Sequence, residues 1–156
     1  MLEITIPGFH TLHLAHLVLD YNGTLAYDGQ LLQGVKEYLE ALARKLRIHI
    51  VTADTFGKAK AQVAGIDCQL SILPVENQDT GKLTYINRIG AEATVCIGNG
   101  RNDRLMLKKA ALGIAVCQGE GAAVEAIMAA DIVSPDILTA LGLLRSPLRL
   151  TATLRS

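Results

Sequence analysis

Tryptophan is absent, and aromatic residues make up only 4% of the 156-residue chain. So few flat rings leave no stacking platform for nucleic-acid bases. Basic residues are not in excess either: 15 Lys and Arg balance 15 Asp and Glu. No basic block supplies the electrostatic footprint that a nucleic-acid partner needs. No apolar run approaches the length of a membrane span. The opening MLEITIPGF lacks the basic-then-apolar pattern of a signal peptide. These absences argue against nucleic-acid and membrane partners and predict a cytoplasmic location. Cysteines number only three, Cys68, Cys96 and Cys117. Their odd count and lack of paired spacing predict neither disulfide nor metal ligation. Cys96 and Cys117 lie in apolar runs and are expected to be buried thiols. No repeat, low-complexity tract or linker divides the chain, so residues 1–156 are expected to form one domain.

Half of the residues are apolar, enough for a substantial core. Their spacing changes period repeatedly. LEITI (2–6) alternates like an edge strand and stops at Pro7-Gly8. Leu17-Val18-Leu19 reads as a buried strand, with Asp28-Gly29 marking a small flap after it. Leu31, Leu32, Val35, Tyr38, Leu39, Leu42 and Leu46 recur at helical spacing over about four turns. RIHIVTA (47–53) is a strand, 56–64 a moderate helix, 68–75 a strand, and Lys82 opens a helix after a polar loop at 77–81. ATVCI (93–97) is a strand, 105–111 a helix, 112–116 a strand, 120–130 a helix and 131–133 a short strand. Asp136 and Ser146-Pro147 start two last helices. This alternation predicts a three-layer α/β/α fold, a doubly wound and mostly parallel Rossmann-like sheet.

Parallel strands send their carboxyl ends to one edge, where ligands of such sheets bind. There, one strand ends in Asp20-Tyr21-Asn22-Gly23-Thr24, another in Thr52-Ala53-Asp54, and a third in Gly98 to Asp103. Lys82 at a helix start reaches the same edge. Asn-Gly after a strand is also a hairpin signal, and Asp there an ordinary turn former. Taken together, however, the pieces offer a carboxylate nucleophile in Asp20, a hydroxyl, an ammonium and further oxygen ligands. The backbone amides of Asn22, Gly23 and Ala53 would add an anion cradle. Such a set suits a phosphoryl group and a hard cation such as Mg²⁺. The spacing of His10, His13 and His16 would align ligands only on a helix, whereas the region reads as strand. His49, between Ile48 and Ile50, is expected to be a satisfied sheet residue, and Asp54 a cap.

LVLDYNGTL, IVTAD, Lys82 and CIGNGRNDRLML, in that order, resemble the haloacid dehalogenase-like phosphohydrolase superfamily. ALGIAVCQGEGAAVEAIMAADIV resembles the end of the phosphorylation domain of P-type ATPases. The resemblance spans roughly residues 12–140. It implies that Asp20 is the phosphorylated nucleophile, that Thr52 binds phosphate and that Lys82 stabilises the phosphoryl group. It further implies that Asp20, the backbone carbonyl of Asn22, Asn99 and Asp103 hold Mg²⁺. Lys58 and Lys60 are alternatives to Lys82. Only about thirty residues separate Asp20 from Thr52, and Thr52 from Lys82, so no large cap domain is expected.

Two positions depart from the family pattern. Asn22 stands where these phosphatases usually carry a second Asp, their general acid and base, and Asn99 replaces an acidic residue. General acid–base catalysis contributes about 10²- to 10⁴-fold, so a slow phosphatase or phosphotransferase is expected. The alternative is a low-turnover domain that binds phosphate or a phosphoprotein. The substrate is expected to be a phosphorylated small molecule or phosphoprotein. Leu143, Leu144, Leu148, Leu150 and Leu154 give the C-terminal segment more apolar surface than one packed face needs, so a homo-oligomer is expected.

Overall fold

The computed structural model describes residues 1–156. Period-2 burial in the first strands, β1 (Leu2–Thr5) and β2 (Thr11–Leu14), turns Leu2, Ile4, Leu12 and Leu14 inward. The two strands pair antiparallel as a separate hairpin. The expected edge strand is present, in a two-stranded sheet apart from the main one. The chain reverses at Pro7-Gly8, with Gly8 at φ 76, and β1 finds its partner next in sequence.

The main sheet begins with β3 (His16–Leu19). A two-residue ladder, β4 (Ala26–Tyr27) and β5 (Gln30–Leu31), forms the flap. Its turn residues Asp28 (φ 48) and Gly29 (φ 78) take the left-handed conformations that tight hairpins require. Helix α1 (Val35–Ala43) follows. It is shorter than its apolar spacing predicts, because Leu31 is used in the flap and Gly34 (φ 87) sets the helix start. Next come β6 (Arg47–Thr52) and the single-turn α2 (Ala59–Gln62). Left-handed Asp54 (φ 50) delays α2, and its carboxylate accepts the N–H groups of Lys58 and Ala59, the expected capping role.

Strand β7 (Gln69–Ile72) leads to α3 (Gln78–Ile89). The polar stretch before Lys82 is thus the first turn of α3 rather than a loop, and Lys82 sits inside the helix. After β8 (Thr94–Gly98) come α4 (Arg104–Lys109), β9 (Leu112–Val116) and α5 (Val124–Ala129). The chain closes with β10 (Ile132–Ser134), α6 (Ile137–Arg145) and α7 (Pro147–Leu154). Asp136 caps α6 by accepting the Thr139 N–H at 2.7 Å.

Six parallel strands run in the order β10-β9-β8-β3-β6-β7. All five residues of β8 and of β9 are buried, as central parallel strands covered on both faces must be. Alternation sorts their side chains between two cores. Leu17, Leu19, Ile50 and Ile97 pack with the α1 and α6 face. Val18, Val51 and Cys96 pack with Tyr85, Met106 and Ala126 from α3, α4 and α5. This is the expected three-layer, doubly wound architecture, with no inserted cap. From β3 the chain moves outward through β6 and β7, then returns to β8 on the other side. The crevice at that reversal lies between the carboxyl ends of β3 and β8. All three cysteines are free. Cys117 is exposed, contrary to expectation, because it lies just past β9 where the strand leaves the core.

Candidate functional site

Asp20 continues β3 by one residue, its N–H donating to the Ile97 carbonyl at 3.0 Å. That bond places its carboxylate at the crevice, only 6% exposed. Lys82 approaches from α3 and is almost wholly buried. Its Nζ donates to Asp20 Oδ1 at 2.7 Å and to Asp103 Oδ1 at 2.6 Å. It also lies 3.4 Å from Asn102 Oδ1. Asp103 Oδ2 accepts the N–H groups of Asn99 (3.0 Å) and Gly100 (2.8 Å). Three of the four lone-pair sites of Asp103 are thereby filled. Gly98 must lack a side chain, since a Cβ there would lie 2.5 Å from the Asp103 carboxyl.

One ammonium thus faces two carboxylates in a buried cluster. Burial, reinforced by the Asp103 charge, pushes Asp20 up to about 6 despite Lys82. Burial alone would lower Lys82, but the Asp103 and Asp20 charges outweigh it and hold the ammonium above its ordinary range. Lys58 and Lys60 are exposed and Lys82 is at the carboxylate, so geometry brings only Lys82 to Asp20.

Around the other Asp20 oxygen stand oxygens with too few protons. Thr24 Oγ1 lies 3.1 Å from Asp20 Oδ2 and 3.2 Å from Asn99 Oδ1, yet carries one proton. Asn99 is oriented by its Nδ2, which donates to the Gly121 carbonyl. Asn22 Oδ1 is buried without any partner, a condition that costs about 1–3 kcal/mol. No three His, Cys, Asp or Glu side chains converge in metal-binding geometry. A cation here would depend on Asp20, Asn99 and Asn22 oxygens, with Asp103 offering at most one remaining lone pair. All are hard oxygen donors, Asn22 through its backbone carbonyl. The donor set therefore fits Mg²⁺ with retained waters.

The expected phosphate cradle is only partly present. Gly23 (φ 79) makes the turn after Asp20, but its N–H donates to the Ala26 carbonyl at 2.9 Å. It is therefore not free for an anion, which corrects the sequence expectation. Register β3–β6 brings Leu19 opposite Ile50, so Thr52 and Ala53 follow at the same edge. Thr52 is buried, and its Oγ1 accepts the Asp54 N–H at 3.0 Å, leaving its own proton to donate. Ala53 is half-buried beside it.

The histidines lie elsewhere. His16 Nδ1 and His49 Nε2 share a hydrogen bond at 3.0 Å, and His49 Nδ1 meets the Tyr85 hydroxyl at 2.9 Å. His49 is thus a satisfied sheet residue, pushed down to about 4 by burial and by neighbouring His16 and Arg47. Arg101 and Arg104 are engaged by Glu125 and Asp79. A hollow of about 470 Å³ between β7 and α3 shares no residue with the Asp20 cluster. Thr24, Asn102 and Gln118 were absent from the sequence-derived site. Thr24 had a signal, its place four residues after Asp20. Asn102 had one as well, its place beside Asp103, and Gln118 alone reaches the site only through tertiary folding.

No family model matches the chain. It is 52% identical over 61 residues to an uncharacterized protein of Methanocaldococcus jannaschii, covering 39% of this chain and 66% of that protein. A second uncharacterized protein of that organism is 49% identical over 39 residues, which are 25% of this chain and 89% of that protein. Among solved structures, the fold is similar to the Moraxella catarrhalis 3-deoxy-D-manno-octulosonate 8-phosphate phosphatase, solved with magnesium, phosphate and KDO. The TM-score is 0.62 at 18% identity, over 92% of this chain and 94% of that one. The cobalt-bound deoxy-D-mannose-octulosonate 8-phosphate phosphatase of Haemophilus influenzae gives 0.65 at 16% identity, over 88% and 96%. The catalytic domain of the CPx-ATPase CopB-B gives 0.60 at 28% identity, over 74% of this chain and 46% of that one.

Proposed function

We propose that this chain, a capless form of the haloacid dehalogenase-like fold, is a phosphohydrolase or phosphotransferase that carries the phosphoryl group on Asp20. The observation that carries this reading is the Lys82 ammonium, buried and bonded at once to Asp20 and Asp103. Such a fixed cation neutralises charge on a transferring phosphoryl group without reorganisation. In the first step an Asp20 oxygen attacks phosphorus, an acyl–phosphate bond forms, and the bond to the leaving oxygen breaks. Thr52 donates its hydroxyl proton to a phosphoryl oxygen. Asp20, Asn99, the Asn22 backbone carbonyl and Asp103 would hold Mg²⁺, which would supply further charge neutralisation. In the second step water attacks phosphorus and returns Asp20 as carboxylate. Both steps move a proton to or from oxygen, and Asn22 can neither give nor take one. Turnover is consequently slow.

The expected measurement uses acetyl phosphate with Mg²⁺. The chain should accumulate an acyl phosphate that hydroxylamine cleaves, and Asp20→Asn should form none. Asn22→Asp should raise steady-state turnover about 10²-fold. Absence of a trapped acyl phosphate, with no gain in Asn22→Asp, would refute the reading.

A second reading is favoured by the same Asn22 and Asn99. With few ionisable groups to drive release, the domain would bind phosphate or a phosphoprotein and respond without sustained turnover. Phosphate affinity equal in the parent and Asn22→Asp, with neither turning over, would favour it.

A further inference from the structure

The nucleophile loop has a second support, distant from Lys82 and supplied by the turn after β9. Gln118 Nε2 donates to the carbonyls of Gly23 (3.1 Å) and Thr24 (2.6 Å). Its Oε1 accepts the Ile137 N–H at 3.0 Å, at the start of α6. Both amide protons and the amide oxygen are therefore committed, and no other side chain of similar length offers that combination. The two carbonyls belong to the peptide groups on either side of the residue that matters, Thr24 and its hydroxyl. That hydroxyl touches Asp20 Oδ2 and Asn99 Oδ1.

The same turn also grips the opposite side of the crevice. The Gly121 carbonyl takes Asn99 Nδ2, and the Ala123 N–H donates to the Asn99 carbonyl at 2.8 Å. Tyr27 of the flap packs where a Cβ on Gly119 would stand. Residues 118–123 thus fix, from one strand end, the loops that follow β3 and β8.

We propose that Gln118 is a positioning residue for phosphoryl transfer, acting through Thr24 to aim the Asp20 carboxylate. The inference rests on the phosphoryl-transfer reading above. Its bond to Ile137 ties β9 to α6. Its bonds to Gly23 and Thr24 set the two peptide planes that carry the Thr24 hydroxyl. A misplacement of about 1 Å at a reacting group can cost about 10²-fold in rate, so a held loop and a loose one differ measurably.

The test uses the full chain with two variants. Gln118→Met keeps the length and removes every hydrogen bond. Gln118→Glu keeps an oxygen for Ile137 but sets a carboxylate oxygen against two carbonyls. In single-turnover phosphorylation by acetyl phosphate with Mg²⁺, both should lower the saturating rate about 10- to 100-fold per folded molecule. Half-saturation should stay within about threefold, well below the rate effect. Thr24→Val should show a similar loss, and combining it with Gln118→Met should cost little more, because the two act in series. A lower melting temperature with an unchanged rate per folded molecule, and additive losses with Thr24→Val, would overturn the proposal and leave Gln118 a staple between β9 and α6. Binding of beryllofluoride with Mg²⁺, an analogue of the transferring phosphoryl group that reads transition-state rather than ground-state affinity, is followed by calorimetry and does not require an acyl phosphate to form. Weakening of about tenfold or more in Gln118→Met supports positioning even if the parent forms no acyl phosphate, an outcome that refutes the phosphoryl-transfer reading alone. Equal affinity under the same condition overturns it.

Discussion

Two carboxylates and one ammonium share the Asp20 cluster, so one negative charge is left over inside the protein. Asp20 bears that excess, because Asp103 also holds two backbone N–H groups that Asp20 lacks. Burial first, and the Asp103 charge second, push the Asp20 carboxyl up to about 6. On the proposed phosphoaspartate reading, only its ionised form would attack phosphorus. The rate of acyl phosphate formation should therefore fall as pH is lowered, with a midpoint below that value because bound Mg²⁺ would favour the ionised form, and Asp103→Asn, which removes the repelling charge, should move that limb further down. Stability carries the opposite sign. An acid raised from 3.8 to about 6 contributes stability fully present below the lower value and lost as pH rises through the upper one. Asp20→Asn should accordingly raise the melting temperature at pH 8 and leave it nearly unchanged at pH 4. A rate that does not fall as pH is lowered from about 8 to about 4 would contradict the assignment of Asp20 as the titrating nucleophile.

Among the elements, those with strong periodicity were legible and those set by a single backbone reversal were not. Leu17-Val18-Leu19 and Val95-Cys96-Ile97 announce buried strands because no polar residue interrupts them. The start of α1 was misread because Leu31 continues the helical spacing while actually serving the flap ladder. The start of α3 was misread because Gln78-Asp79-Thr80-Gly81 looks like a loop, yet Asp79 accepts the Thr80 N–H and binds Arg104 from α4. Of the residues the motif order singles out, Asp20, Lys82 and Asp103 meet in one cluster, and Thr52 lies at the same sheet edge. Gln118 was not legible, since its bonds to Gly23 and Thr24 span 95 and 94 residues. The turn after β3 is the element most sensitive to substitution. Gly23 has φ 79, and a Cβ there would lie 2.3 Å from Asn99 Nδ2. Gly23→Ala combines left-handed strain, about 1–2 kcal/mol, with displacement of Asn99 from both Thr24 and Gly121. A destabilisation of about 2–3 kcal/mol in urea unfolding is expected, with phosphorylation largely lost. Normal stability and activity would show that the turn tolerates a side chain and that Asn99 need not be held.

For the whole molecule, the reversal between β3 and β8 brings distant segments together, and the buried ion cluster joins them. Lys82 comes from α3, Asp20 from the end of β3, and Asp103 from the turn before α4. The cluster is therefore both the proposed phosphorylation site and a bond between the central sheet and one helical layer. Nothing comparable joins the other layer, where α1, α6 and α7 pack through leucines such as Leu39, Leu141 and Leu150. Leu144 and Leu150 are buried there and Leu143 and Leu154 are half-buried, while Leu148 is 85% exposed. Most of the apolar surface that suggested a subunit contact is thus used internally. Removing one partner of a buried pair leaves an uncompensated charge, at about 3–5 kcal/mol. Lys82→Met should destabilise on that scale, since Asp20 and Asp103 then face each other. Asp103→Asn should also destabilise, because it loses charge opposite both the ammonium and two backbone donors. Together they should cost less than their sum by about 1–3 kcal/mol, since the double variant buries no unpaired cation and only one carboxylate. Urea unfolding of the four proteins measures this coupling. Strict additivity would mean that the ion cluster does not link α3 to the sheet, and that packing of Tyr85, Ile86 and Met106 against Val18 and Val51 suffices to hold that layer.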